Sequence, residues 1–150
     1  MGKQDNPNAS RSGVRRTSAP RQLSVLIVDP DIQGAQAMAE VLGRKHLVGV
    51  VGTAAAALAA VERRIPTLLV TEMDLPDASG VSLMETLHAR PATRHILLMA
   101  LTRRNSVRDK IAAFQAGADH YLVKPVAPEQ FAVHVEQLSH FRQVLPAVVS

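Results

Sequence analysis

Short, nearly continuous apolar runs alternate along this chain with stretches in which apolar residues recur every three or four positions. LSVLIV (23–28), LVGVV (47–51), TLLVTE (67–72), ILLMAL (96–101) and HYLV (120–123) have the length and β-branched content of strands buried on both faces. After the first run, Ile32, Ala35, Ala39 and Leu42 recur at helical spacing up to Gly43, a plausible helix stop. Thr53 is placed to cap an Ala-rich helix that ends near Pro66. The segment MDLPDASG (73–80) reads as a loop, and Val81 to Arg90 as a helix with Leu83, Met84 and Leu87 inward. A fourth helix gathers around Val107, Ile111 and Phe114 and stops at Gly117, and Phe131, Val135, Leu138 and Phe141 mark a fifth. Met38, Met84 and Met99 fall on faces predicted to be buried, so they count as core. Five strands, each followed by a helix, predict an α/β fold with a parallel sheet covered on both faces.

Residues 1–22 contain almost no large apolar side chain and are rich in Ser, Asn, Pro and Arg, which predicts a disordered tail. That tail carries Lys3, Arg11, Arg15, Arg16 and Arg21 against Asp5, which is the whole of the net charge of +4. The remainder is balanced, so the basic character belongs to the tail and implies no basic face on the folded part. One folded domain is expected over 23–144, with LPAVVS (145–150) as a short C-terminal tail and no output domain after it. There is no cysteine, which excludes disulfides and thiolate chemistry. Without a signal peptide, myristoylation motif or apolar run long enough to span a bilayer, the chain reads as soluble and cytoplasmic. The six histidines (46, 88, 95, 120, 134 and 140) lack the i, i+4 pairing of a metal site and read as solvated or partly packed. No glycine-rich phosphate loop is present, so no nucleotide or flavin cofactor is expected. The dispersed cations of the tail have no interleaved aromatics, and nucleic acid is not the expected partner.

In parallel α/β sheets, ligands sit beyond the carboxyl ends of the strands. The polar residues there are Asp29, Glu72, Thr102 and Lys124, after strands one, three, four and five. Together with LPDASG (75–80), AGADHYLVKP (116–125) and the ungapped interval from Glu72 through Thr102 to Lys124, this constellation resembles the response-regulator receiver family over roughly residues 23–144. The resemblance implies a flavodoxin-like, doubly wound five-stranded sheet of strand order 2-1-3-4-5. It also implies an aspartate after strand three that takes a phosphoryl group from a histidine kinase, and two consecutive acids after strand one that help it hold magnesium. Carried over, Asp29 is the first of that acid pair, Thr102 and Lys124 grip the phosphoryl oxygens, Tyr121 is the switching aromatic and Pro125 the cis-bonded neighbour of the lysine.

Three positions depart from the family pattern. Glu72 stands at the phosphoacceptor, Pro30 at the second acid, and Arg103 where a very small residue normally follows the hydroxyl. Glutamate is longer than aspartate by about 1.5 Å of chain, which carries its carboxylate toward the place of the phosphoryl oxygens. Pro30 supplies neither a carboxylate nor a backbone N–H, whereas magnesium needs near-ideal octahedral oxygen geometry. Asp31 and Asp74 are the oxygens available in place of the missing acid. No metal and no catalytic residue are therefore expected, and the chain is expected not to be an enzyme.

A carboxylate at Glu72 with no metal beside it wants a cation; Lys124 is the first candidate and Arg103 the second. A Glu72–Lys124 pair with a hydroxyl hydrogen bond from Thr102 would imitate part of a phosphorylated arrangement, and a simply decayed site stands beside it as the other reading. The leading expectation is a stand-alone pseudo-receiver of two-component signalling. Its partners would be proteins, a histidine kinase or a downstream effector, or a second copy joined through the face of helix four, strand five and helix five. The alternatives are a conventional phosphoacceptor using Glu72 or Asp74 with magnesium, and a nucleic-acid-associated protein acting through its Arg-rich tail.

Overall fold

In the computed structural model, residues 22–144 are described, and the two predicted tails lie outside them apart from Gln22. The elements run β1 Ser24–Val28, α1 Ile32–Leu42, β2 Leu47–Val51, α2 Ala54–Arg63, β3 Leu68–Thr71, α3 Gly80–Ala89, β4 Leu97–Thr102, α4 Val107–Gln115, β5 His120–Val123 and α5 Pro128–Val144. All five strands are parallel, in the order β2-β1-β3-β4-β5. The order reverses between β1 and β3, whose ends are level through the pairing of Val28 with Thr71. This is the doubly wound, flavodoxin-like arrangement, and its crevice opens above those two strands.

The central strands are apolar on both sides because both sides are covered. Leu26, Val28, Leu69, Leu98 and Ala100 face Ala57 and Val61 of α2, Leu83, Met84 and Leu87 of α3, and Ala113 and Ala116 in and just after α4. On the alternating positions, Val25, Ile27, Leu68, Val70, Met99 and Leu101 are also buried, as are Ala35 and Leu42 of α1 and Phe131. Each buried Val, Leu, Ile, Met or Phe side chain contributes about 1.5–3 kcal/mol, and the alanines less. The chain divides into two units after Phe131: Gln22–Phe131 hold the sheet, and the rest of α5, with Val135 and Leu138 buried, belongs to the other. The Phe141 side chain lies outside the described residues.

Four helices begin on a side-chain cap at the end of the loop that follows a strand, which is what fixes the loops around the crevice. Asp31, Thr53, Ser79 and Ser106 accept the backbone N–H of Gly34, Ala56, Ser82 and Asp109, respectively. Gly117 turns the chain from α4 into β5 at φ +115°, a conformation that favours glycine, with His88 where a Cβ would stand.

Several sequence-based expectations need correction. Val107, Ile111 and Phe114, the residues used to locate α4, are all exposed, as is Ile32 at the start of α1. The buried side of α4 is built from Ala113, with Ala116 just beyond it, small residues that let the helix lie close to the sheet. Met84 and Met99 are fully buried, but Met38 is only half-buried. β2 is an edge strand whose side chains are half-buried or exposed, so its apolar run does not signal cover on both faces.

Candidate functional site

The crevice collects side chains from the ends of β1, β3, β4 and β5. Asp29 follows β1 and is buried, Glu72 follows β3, Thr102 ends β4, and Lys124 follows β5 with a cis bond to Pro125. Above them is a cavity of about 330 Å³ whose rim includes Pro30, Asp31, Asp74 and Arg103.

Lys124 is the centre of this end of the molecule. Its Nζ donates to Asp29 Oδ2 at 2.7 Å and to Glu72 Oε1 at 3.0 Å. The lysine, aspartate and glutamate side chains are 17%, 8% and 11% exposed, so the three charges are largely desolvated. Two carboxylates against one ammonium leave an excess negative charge, and backbone N–H groups offset it. Asp31 N donates to Asp29 Oδ1 at 2.9 Å, and Glu72 Oε2 accepts from Met73 N at 2.7 Å and Asp74 N at 3.3 Å. Burial alone pulls the Lys124 ammonium toward its neutral form, but the hydrogen bonds it donates to Asp29 and Glu72 outweigh it and hold the pKa above the ordinary lysine value.

Thr102 does not join this group. Its buried hydroxyl accepts Arg104 N–H at 3.3 Å, so the expected hydroxyl bond to Glu72 is replaced by one within its own loop. Arg103, the second cation foreseen for Glu72, is exposed at the rim. Asp31 serves as the cap of α1. Asp74 is taken by Arg104, a residue the sequence reading passed over. Arg104 Nε lies 3.1 and 2.9 Å from its two carboxylate oxygens, and one terminal nitrogen is 2.7 Å from Oδ1. That grip holds the Asp74 carboxyl below the usual aspartate range. Tyr121, half-buried on β5, donates its hydroxyl to the Arg104 carbonyl at 2.8 Å. Asp77 was also passed over: its carboxylate accepts Ala54 N and Ala55 N, both at 2.9 Å, and ties the loop after β3 to the start of α2. The only signal for either was position, Arg104 two residues beyond Thr102 and Asp77 in the middle of a loop of small and polar residues.

The donor set does not fit magnesium. Asp29 and Glu72 already spend their oxygens on Lys124 and on backbone N–H groups, Pro30 offers no side-chain oxygen, and Asp74 is engaged outward by Arg104. Among the described residues, no cluster of three or more carboxylate or imidazole groups is arranged to hold a metal ion.

The family model described as the response regulator receiver domain matches residues 25–136. The chain belongs to this family. The receiver is similar to the transcriptional regulatory protein BasR of Escherichia coli, 33% identical over 119 residues, which cover 77% of this chain and 52% of BasR. It is 32% identical over 89 residues to the phosphate regulon transcriptional regulatory protein PhoB of Rhizobium meliloti, covering 59% of this chain and 38% of PhoB. The chain thus spans about half of one of these regulators and less of the other. A 14.6 kDa protein of Leptolyngbya boryana matches at 31% identity over 117 residues, 77% of this chain and 89% of its own. Among solved structures, the CheY-like receiver domain protein of Methanospirillum hungatei superposes with a TM-score of 0.73 at 27% identity, covering 81% of this receiver and 96% of that chain. Receivers are signalling modules of two-component systems. Among the described residues, no helix is long and apolar enough to cross a membrane.

Proposed function

We propose that this receiver signals through protein contacts without accepting a phosphoryl group. The observation that carries the reading is the Lys124 ammonium held between Asp29 and Glu72 at 2.7 and 3.0 Å. Phosphoryl transfer to a carboxylate needs a free oxygen in line with the donor and a cation left over to receive the phosphoryl oxygens. Here Glu72 Oε1 faces Lys124 and Oε2 caps two backbone N–H groups, so both the nucleophile and the lysine are already engaged. Pro30 adds to this by removing an oxygen from the metal site. Asp74, the other candidate acceptor, is 63% exposed and bound in bidentate fashion by Arg104. Glu72 is then a resident anion that keeps the pocket in one arrangement.

The output surface we assign lies on α4 and β5, where Val107, Ile111 and Phe114 stand exposed. Its partner is a protein, either a component of a two-component pathway or a second copy of this chain.

The test is incubation with acetyl phosphate, or with beryllofluoride, in the presence of magnesium. Intact mass should show no adduct, and the amide spectrum should stay unchanged. A phosphorylated species of any stoichiometry, on Glu72 or on Asp74, would sink the proposal and favour the conventional receiver.

A further inference from the structure

We propose that Arg104 is a salt-sensitive latch that ties the loop after β3 to the loop after β4 and so holds α4 and Tyr121 in place without a phosphoryl group. The inference rests on the reading above, because it names the element that fixes the domain when no phosphorylation does. Arg104 meets four parts of the fold at once. Its N–H donates to Thr102 of β4 at 3.3 Å, and its carbonyl accepts the Tyr121 hydroxyl of β5 at 2.8 Å. Its guanidinium closes on Asp74 in the loop after β3, and a terminal nitrogen lies 3.5 Å from Asp109 in the first turn of α4.

A latch needs firm ground on both sides. On the far side, the loop of residues 73–80 is pinned at three points. Asp74 pairs with Ser79 in an antiparallel bridge, Gly80 N donates to Met73 O at 2.8 Å, and Asp77 binds the start of α2. A Cβ at Gly80 would run into the Glu72 carbonyl, so this closure depends on glycine. On the near side, the Tyr121 ring lies against Phe114, with centroids 6.4 Å apart and planes tilted by 41°. Phe114 stands on one stripe of α4 with Ile111 and Val107, spaced i, i+4 and i+7, and all three are exposed. A continuous chain of contacts therefore runs from Asp74 through Arg104 and Tyr121 to the apolar stripe.

Both partners of the bridge are solvated, Arg104 at 48% and Asp74 at 63%. A bidentate guanidinium pair is geometrically specific, but in water its strength falls with ionic strength, since screening shortens to about 3 Å at about 1 M salt. The Lys124 centre beneath it is largely desolvated and escapes that screening. The domain thus has a fixed centre and a releasable strap at the same end.

The chain has a single tyrosine and no tryptophan, so Tyr121 reports the latch without interference. Desolvation holds its phenol pKa above the ordinary value, with the Asp109 charge adding to this. The full chain is compared with Arg104→Ala, Asp74→Asn and the charge exchange Asp74→Arg with Arg104→Asp, by alkaline titration of the tyrosine absorbance and by amide exchange over residues 103–109. The single variants should shift the tyrosine midpoint and raise exchange by about tenfold; the exchange variant should recover much of the loss, and about 1 M sodium chloride should reproduce it in the parent. If the single variants and the salted parent all stay within about twofold of the parent in low salt, the latch does not exist. Adduct formation with a phosphoryl analogue would instead remove the proposed function while leaving the tyrosine result standing, so the two failures are distinguishable.

Discussion

Two ionic centres sit at the carboxyl end of the same sheet, and water separates them in kind. Around Lys124 the three side chains are largely buried, and every carboxylate oxygen has a donor. Around Arg104 the cation itself makes more hydrogen bonds, three to one carboxylate against two from Lys124, yet both side chains are about half-exposed or more. Removing one member of a desolvated group leaves its partners charged in a poor solvent, whereas a solvated pair is simply replaced by water. Counting only the bonds that each cation makes would rank the two centres the wrong way round for stability. The buried centre holds the fold at the site; the exposed one selects a loop conformation.

The largest expected effect follows from breaking the buried side of this contrast. Lys124→Ala leaves Asp29 and Glu72 facing each other without a cation and should lower the unfolding free energy by about 1–3 kcal/mol. Arg104→Ala should barely move the urea midpoint. Equal losses in the two variants would show that burial does not separate the centres. Glu72→Gln should cost less than Lys124→Ala, because it removes a charge from an anionic surplus and keeps an acceptor for Lys124.

The next prediction turns the buried centre into a metal site. Glu72→Asp combined with Pro30→Asp shortens one carboxylate and adds another, and magnesium binding measured by calorimetry should appear in the double variant and not in the parent. Binding by Glu72→Asp alone would mean that Pro30 matters less than its chemistry suggests.

The pH dependence should split the two centres by direction. The Lys124 pKa is raised in the folded state, so its stabilisation is complete below the ordinary 10.5 and is lost as pH climbs through the higher folded value. Asp74 is lowered by Arg104, so its contribution is complete above the ordinary 3.8 and is lost as pH falls through the lower folded value. Asp77 moves the same way through its bonds to Ala54 N and Ala55 N. Denaturation followed across pH should therefore show an alkaline loss, shared by Lys124 and the raised phenol of Tyr121, that Lys124→Ala reduces, and a smaller acid loss that Asp74→Asn reduces. An alkaline limb undiminished in Lys124→Ala would assign it to Tyr121 alone or to another group.

The smallest expected effect is that of salt on the parent. Raising sodium chloride should leave the urea midpoint nearly constant while Tyr121 responds, because only the exposed pair is screened. A stability loss of similar size to the Lys124→Ala loss would place the screened charges at the wrong centre.

The order of strands and helices was legible in the chain because each rests on a local regularity: an apolar run of four to six residues, a capping Thr53 or a stop at Gly117. So were Asp29, Glu72, Thr102 and Lys124, since strand ends are where a parallel sheet exposes polar groups. Charge asked for a cation at Glu72 and the expected places of the strand ends favoured Lys124 over Arg103, but the sharing of Lys124 with Asp29 depends on where β1 and β5 end relative to each other in space. Periodicity marks an apolar stripe on α4 without saying which side meets the sheet; Ala113 and Ala116 could pack closer, and that left Val107, Ile111 and Phe114 outside. Thr102 turned to its own loop, and Arg104 found Asp74 thirty residues away. Local pattern therefore determined the elements and the identity of the charged residues, because those depend on neighbours in the chain. Partner choice among the charges was decided only by the tertiary structure, because it depends on which strand ends are level and on how much water each pair keeps.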